Sequence, residues 1–390
     1  MIIYDPRWLE ALGDAREAKR WRASGIISEP QCAAIAARFT TPLYAPTLFV
    51  RIALFFFAAI AVGGLYGMVV IAGGFSGRRL AIFTVLCGAL ALVALDAIVG
   101  RRHLYQSGID EALLYTALCF TAGGLVWLYL DASVAGPVAI RWLIALPFLV
   151  WGALRFADRL AAAAAYFCAL GVLLAPLMEG GGVARAALPF ATMAIGLLSY
   201  VLARAGADKS AWRPYAGCLL VVEALGLATV YGAGNYFAVR KANQWLMGEL
   251  IPDGGVMPPP LGFLFWAFTA LTPVAYAVRG VLIRDRLLLR AGLVTAAFSV
   301  LTFVYYVPVA PAEVTLTAAG AALLLIAVAA TRHLRTRRDG YTDKNLLAER
   351  LSLADAEALV TAHALGAPAP VSAQPEGGGT FGGGGASEKW

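Results

Sequence analysis

The chain has 390 residues, of which 60% are hydrophobic and only 14% charged, with a mean hydropathy of +0.73. Those values exclude a soluble globular domain or a disordered chain and point to membrane helices. The net charge of +7 does not signal nucleic acid, because Lys and Arg gather in the tails and in alternate loops, as the positive-inside rule expects.

The first 47 residues are charged and lack the apolar stretch of a cleavable signal, so the first membrane helix is expected to act as its own insertion signal. They read as a cytoplasmic paired-helix domain. Asp5-Pro6 supplies a cap followed by proline at the first helical position. Trp8, Leu12, Ala15, Ala18 and Trp21 then recur at helical spacing, Arg16, Lys19, Arg20 and Arg22 cover the other side, and Gly25 stops the helix. A second helix starts at Ser28, with Gln31 completing a capping box, and runs through Ile35 to Phe39. The basic first helix can lie on anionic lipid or fold on its neighbour, and both readings are open.

The paired-helix pattern resembles the start of a family of bacterial multi-pass membrane proteins catalogued as a domain of unknown function, number twenty-one fifty-seven. The matching positions are Trp21, Gly25, Ile26, Ile27, Ser28, Glu29, Gln31 and Ile35, and the likeness covers about the first 45 residues. The resemblance implies a helical membrane body, a bacterial inner-membrane location and no activity, since the family carries no assigned catalytic residues.

Ten apolar stretches follow, at roughly 50–73, 80–100, 111–130, 135–154, 158–178, 184–204, 211–233, 260–280, 287–307 and 312–331. The fold class is therefore all-α: a polytopic membrane domain over 48–331, between a helical domain at 1–47 and a basic, short-helix segment at 332–366. With the N-terminus inside, cytoplasmic loops hold Arg101, Arg102, Arg155, Arg159, Arg204, Lys209, Arg213, Arg279, Arg284 and Arg286. The external side keeps Arg78, Arg79, Arg185, Arg240 and Lys241, so both termini are expected in the cytoplasm. Gly63 and Gly67 form a GxxxG pair suited to close helix approach, and Pro147, Pro176, Pro189 and Pro273 are candidate kinks.

The long external loop, 234–259, begins with an interfacial helix bearing Phe237, Val239, Trp245, Leu246 and Leu250, then returns through Asp253-Gly254-Gly255 and prolines. After 330, the cluster Arg332, Arg335, Arg337 and Arg338 fits anionic headgroups, and short helices are expected at 343–350 and 353–365. The last segment, 367–390, has a disordered composition. Its ending, Phe381, Gly382 to Gly385, Ala386, Ser387 and Trp390, resembles the glycine-rich tails of TPM-domain membrane proteins, which implies a segment read by a protein partner.

No chemical motif stands out. GxSxG after a strand, HExxH and a P-loop are all missing. Cys32, Cys87, Cys119, Cys168 and Cys218 form no CxxC, and His103, His333 and His363 are scattered, so neither a disulfide framework nor a metal or cofactor is called for. Two features remain. Glu223 lies near the middle of the 23-residue stretch 211–233, long enough at roughly 34 Å to cross a bilayer. An ionisable residue there is a functional candidate: it either meets a water-filled cavity and exchanges protons, or is packed and hydrogen-bonded to a neighbouring helix. Asp96, about one turn from the end of the second span, is at the depth of Arg51 on the first, which predicts a structural ion pair between them. Two function classes follow: a proton-coupled transporter or exporter of a small molecule, ion or lipid using Glu223, and a non-catalytic scaffold with membrane lipids around it and protein partners at its termini. An enzyme is the least favoured class.

Overall fold

The computed structural model describes residues 2–23, 25–39, 41–132, 136–247 and 261–306, with isolated positions 314, 317, 320 and 321. The tenth apolar stretch, apart from those positions, the return of the external loop, the basic cluster after 330 and the glycine-rich tail lie outside the described residues. The chain divides into two units: one holds Asp5–Leu43, the other Met1–Tyr4 with Tyr44–Leu316.

In the first unit, α1 (Pro6–Ala23) and α2 (Glu29–Arg38) form a helical hairpin. Gly25 makes the turn at φ 73°, a conformation that side chains with a Cβ disfavour. The capping box at Ser28 is formed: the Gln31 amide donates to Ser28 Oγ at 3.5 Å and the Ser28 amide donates to Gln31 Oε1 at 2.8 Å. Ala18, Ile27 and Cys32 make the small core, with Trp21, Ile26 and Ile35 against it. Arg22 and Glu29 bridge the helices at 2.5 Å. α1 folds on its neighbour α2, as one of its two readings has it.

The second unit is a bundle of antiparallel helices. Its long members are α3 (Leu48–Gly73), α4 (Gly77–Arg102), α5 (Ile109–Ala132), α6 (Val138–Phe156), α7 (Arg159–Glu179), α8 (Gly182–Ala207), α9 (Ala216–Gly234), α11 (Gly262–Leu282) and α12 (Arg286–Tyr306). With the 3-10 turn Ser210–Tyr215 that leads into α9, these make nine segments among the described residues that are long and apolar enough to cross a membrane. The protein is an all-α, multi-pass membrane protein. Large apolar side chains on the outer surface, such as Phe49, Phe57, Ile60, Leu90 and Val183, are exposed because lipid rather than protein is their solvent.

Small residues decide which helices touch. The backbones of α8 and α9 cross at Gly196 and Gly226, where a Cβ on Gly226 would meet the Gly196 carbonyl at 2.7 Å. Gly108, at φ 93°, lies against the Arg51 carbonyl and Phe55 amide of α3, which leaves no room for a side chain. Among the described residues, the GxxxG pair expected to permit a close approach makes none: no atom lies within 4 Å of a Cβ position at Gly63 or Gly67. On α3 only Ala58 is buried; Leu54, Phe55, Val62 and Tyr66 are half-buried on the same face, while apolar residues also fill the exposed side, so hydropathy alone does not mark the packed face. The four intrahelical prolines are accommodated without ending α6, α7, α8 or α11.

Between α9 and α11 runs α10 (Tyr236–Met247). Asn235 caps it, accepting from the Phe237 amide at 3.0 Å, and Thr269 Oγ1 accepts from the Tyr236 amide at 2.9 Å. Tyr236 and Val239 are buried against Phe265, with Phe190, Trp266, Phe268 and Tyr306 around them. The element expected to be interfacial is thus fastened into the end of the bundle by its first turn. If both termini are cytoplasmic, Asn243 on α10 faces the outside; Asn243→Cys in a cysteine-free background should react with an impermeant maleimide in intact spheroplasts, and labelling only after permeabilisation would reverse the orientation.

Candidate functional site

Seven charged residues of the bundle are grouped on one face, where α3, α5 and α9 begin and α4, α6 and α8 end. Arg51, in the first turn of α3, donates from Nε to Glu111 Oε2 at 2.7 Å and from Nη2 to Glu111 Oε1. Asp96 of α4 accepts both Nε and Nη2 of Arg155, at 3.1 and 2.8 Å, on a single oxygen. The expected Asp96–Arg51 pair is therefore not formed. Equal depth on successive helices was not sufficient, because Gly108 draws the start of α5 onto α3 and brings Glu111 to Arg51, while Asp96 faces the end of α6.

The third group contains Glu223. The six residues Ser210–Tyr215 form a 3-10 turn containing Pro214, so α9 begins only at Ala216 and Glu223 is two turns inside it. Its carboxylate is 3.8 Å from Arg204 Nη1, one turn from the end of α8. The same nitrogen donates to Asp285 Oδ2 at 2.5 Å. Asp285 lies in the turn between α11 and α12, and its other oxygen caps α12 by accepting from the amides of Leu287 and Leu288 at 2.8 and 3.3 Å. Glu223 is thus nearer the charged face than the middle of 211–233 suggests. Its side chain and that of Asp285 are each 5% exposed, whereas Arg204 is 45% exposed. One guanidinium, reached from the surface, serves two buried carboxylates from separate segments.

Asp158 and Tyr4 stand on the same face. Asp158 caps α7 through the Ala161 amide at 2.7 Å and accepts from Tyr115 Oη at 2.9 Å. Burial nevertheless pushes its carboxyl above the ordinary range, outweighing those hydrogen bonds. Burial also pushes the Tyr4 phenol up, with Asp110 adding to the effect. The segment before Asp5 is held there: the Ile3 amide donates to the Arg155 carbonyl at 2.9 Å, and Tyr4 meets Tyr105 edge-on at 5.0 Å.

Away from this face, α9 carries a buried polar seam. Tyr276 Oη donates to the Leu227 carbonyl at 3.1 Å, and Tyr231 and Ser299 share a hydrogen bond of 2.9 Å. Asn235 Nδ2 reaches Tyr231 Oη and Thr302 Oγ1 at 2.9 and 3.1 Å, and Ser299 donates to the Thr269 carbonyl at 2.6 Å. Each of these groups has its partner within the bundle, the arrangement of a specifying polar core. Among the described residues, one cavity of about 640 Å³ lies beside Asp96, Trp151 and Arg155, and another of about 350 Å³ beside Arg185, Thr192, Thr229 and Asn243. Glu223 lines neither. The five cysteines are all free thiols.

Glu111, Arg155, Arg204 and Asp285 escaped the sequence reading. Their common signal was position, since each lies within about a turn of a helix end on the arginine-rich side. No protein-family model, curated protein or solved structure matches the chain.

Double-mutant cycles should separate the pairings. Arg51→Met with Glu111→Gln is expected to give a coupling of about 1 kcal/mol in equilibrium unfolding in mixed micelles, and Arg51→Met with Asp96→Asn a coupling within about 0.5 kcal/mol of zero.

Proposed function

We propose that this protein is a non-catalytic scaffold of the bacterial inner membrane, with both termini cytoplasmic and partners docking at those termini. The observation that supports it is the engagement of Glu223. A carboxylate held by Arg204, beside an Asp285 that caps the next helix, ties α8, α9 and α12 together. A proton-coupled carrier needs its carboxyl free to exchange protons along a substrate path, whereas this carboxylate is 5% exposed and lies 3.8 Å from a guanidinium. The arginine bias toward the charged face supports the cytoplasmic assignment of that face. The resemblance of the first helices to the family of unknown function fits a bacterial membrane protein and carries over no catalytic residue.

The carrier reading retains one observation of its own. Two buried carboxylates share one guanidinium, and a proton on either would balance the charge. Glu223→Gln keeps the size and hydrogen-bonding capacity of the side chain but cannot ionise. Under the scaffold reading it complements a deletion strain as the parent does, while Glu223→Leu lowers the thermal midpoint by several degrees, equivalent to about 1–3 kcal/mol. A Glu223→Gln variant that folds as the parent but loses a pH-dependent flux or phenotype would overturn the scaffold reading in favour of the carrier.

A further inference from the structure

The groove beside the Asp96–Arg155 pair has a composition that the scaffold reading does not use. Its walls are Leu92, Val93 and Ala97 of α4 and Trp151 of α6, and its volume of about 640 Å³ is open along the lipid-facing surface. Val93 is 68% exposed and its neighbour on the same surface, Leu90, 69%. The polar end is a paired cation and anion, with side chains 31% and 46% exposed, so both charges are accessible from the groove. Arg155 is the penultimate residue of α6, which puts this end at headgroup level in a spanning helix while the apolar walls run toward the hydrocarbon.

A groove with one charge would select an ion of opposite sign. This one presents both signs side by side, which complements a headgroup that also carries both. The two bonds that Arg155 gives Asp96 fall on Oδ1, and an ionised carboxylate has about four acceptor sites, so the anion keeps capacity for a further donor. The C-terminal end of α6 adds the negative end of its dipole beside it. A primary ammonium can donate to that carboxylate; a quaternary one cannot.

We propose that the α4–α6 groove is a headgroup-selective site for a phospholipid bearing a primary amine next to its phosphate. The phosphate lies against the Arg155 guanidinium, the ammonium donates to Asp96, and one acyl chain follows Leu92, Val93 and Trp151. Phosphatidylcholine keeps the phosphate and the positive charge but loses the donor. Phosphatidylglycerol keeps the phosphate and neutral hydroxyl donors but has no positive charge to set against Asp96.

The test uses the full-length protein in detergent, titrated separately with dioleoyl phosphatidylethanolamine, phosphatidylcholine and phosphatidylglycerol, with bound lipid read by native mass spectrometry. The parent should retain phosphatidylethanolamine about tenfold better than either of the others, the effect of one charge-assisted hydrogen bond. Asp96→Asn, an isostere at a partly exposed position, should bring phosphatidylethanolamine down to phosphatidylcholine. Ala97→Phe leaves both charges in place but fills the groove, and should lower retention of all three lipids, which keeps the proposal testable should Asp96→Asn not fold. Equal retention of the three by the parent would overturn the proposal. So would a preference for phosphatidylglycerol, which would assign binding to the basic residues at the helix ends, or full retention by Ala97→Phe.

Discussion

One side chain, Arg204, holds two of the bundle's buried charges in place. Two carboxylates, each 5% exposed, converge on it from α9 and from the turn before α12. At about 4 Å and an effective dielectric of about 20, each attraction is on the order of 4 kcal/mol before screening. Arg204 is 45% exposed, so the realised value is smaller, and moving each carboxylate out of water costs several kcal/mol in the other direction. The net contribution to stability is therefore modest, but the asymmetry is large. Without the guanidinium, two negative charges are left buried and close together. The same constraint recurs at Arg51–Glu111 and Asp96–Arg155, which lie on the same face.

The helices were legible because their signal is one of length and composition. A run of about twenty apolar residues has few alternatives in a bilayer, where every backbone group must be satisfied within the segment. Nine of the expected stretches are helices, including the closely spaced third and fourth, and the tenth lies mainly outside the described residues. Legibility ended where neighbours had to be assigned. In a lipid-facing helix such as α3, apolar residues on every side erase the stripe that would name its partner, so Gly63 and Gly67 meet no described neighbour and Arg51 pairs with Glu111 instead of Asp96. The real contacts were encoded by single residues with no periodicity: Gly108 against α3, and Gly196 against Gly226.

Glu223 illustrates both halves. Its burial followed from an acidic residue in an apolar run, but its depth did not, because the hydropathy pattern passes smoothly over a 3-10 turn that occupies the first six residues of the stretch. Asp285 was hidden for a different reason: an Asp between Arg284 and Arg286 in a loop reads as an ordinary exposed charge. Its burial arises from the cap it makes on α12 and from Arg204 across the bundle. A helix cap and a counter-charge from a distant helix together turned a surface residue into an interior one.

The measurement that bears most directly on this account is equilibrium unfolding of Arg204→Met in two backgrounds. In the parent it should cost about 3–5 kcal/mol, since both carboxylates lose their cation. In the Glu223→Gln, Asp285→Asn background, where the capping oxygen at Asp285 is kept but the charges are gone, the same substitution should cost less than about 1 kcal/mol. An equal cost in the two backgrounds would contradict the account, because Arg204 would then act through its packing and not as the cation that holds these carboxylates in the bundle.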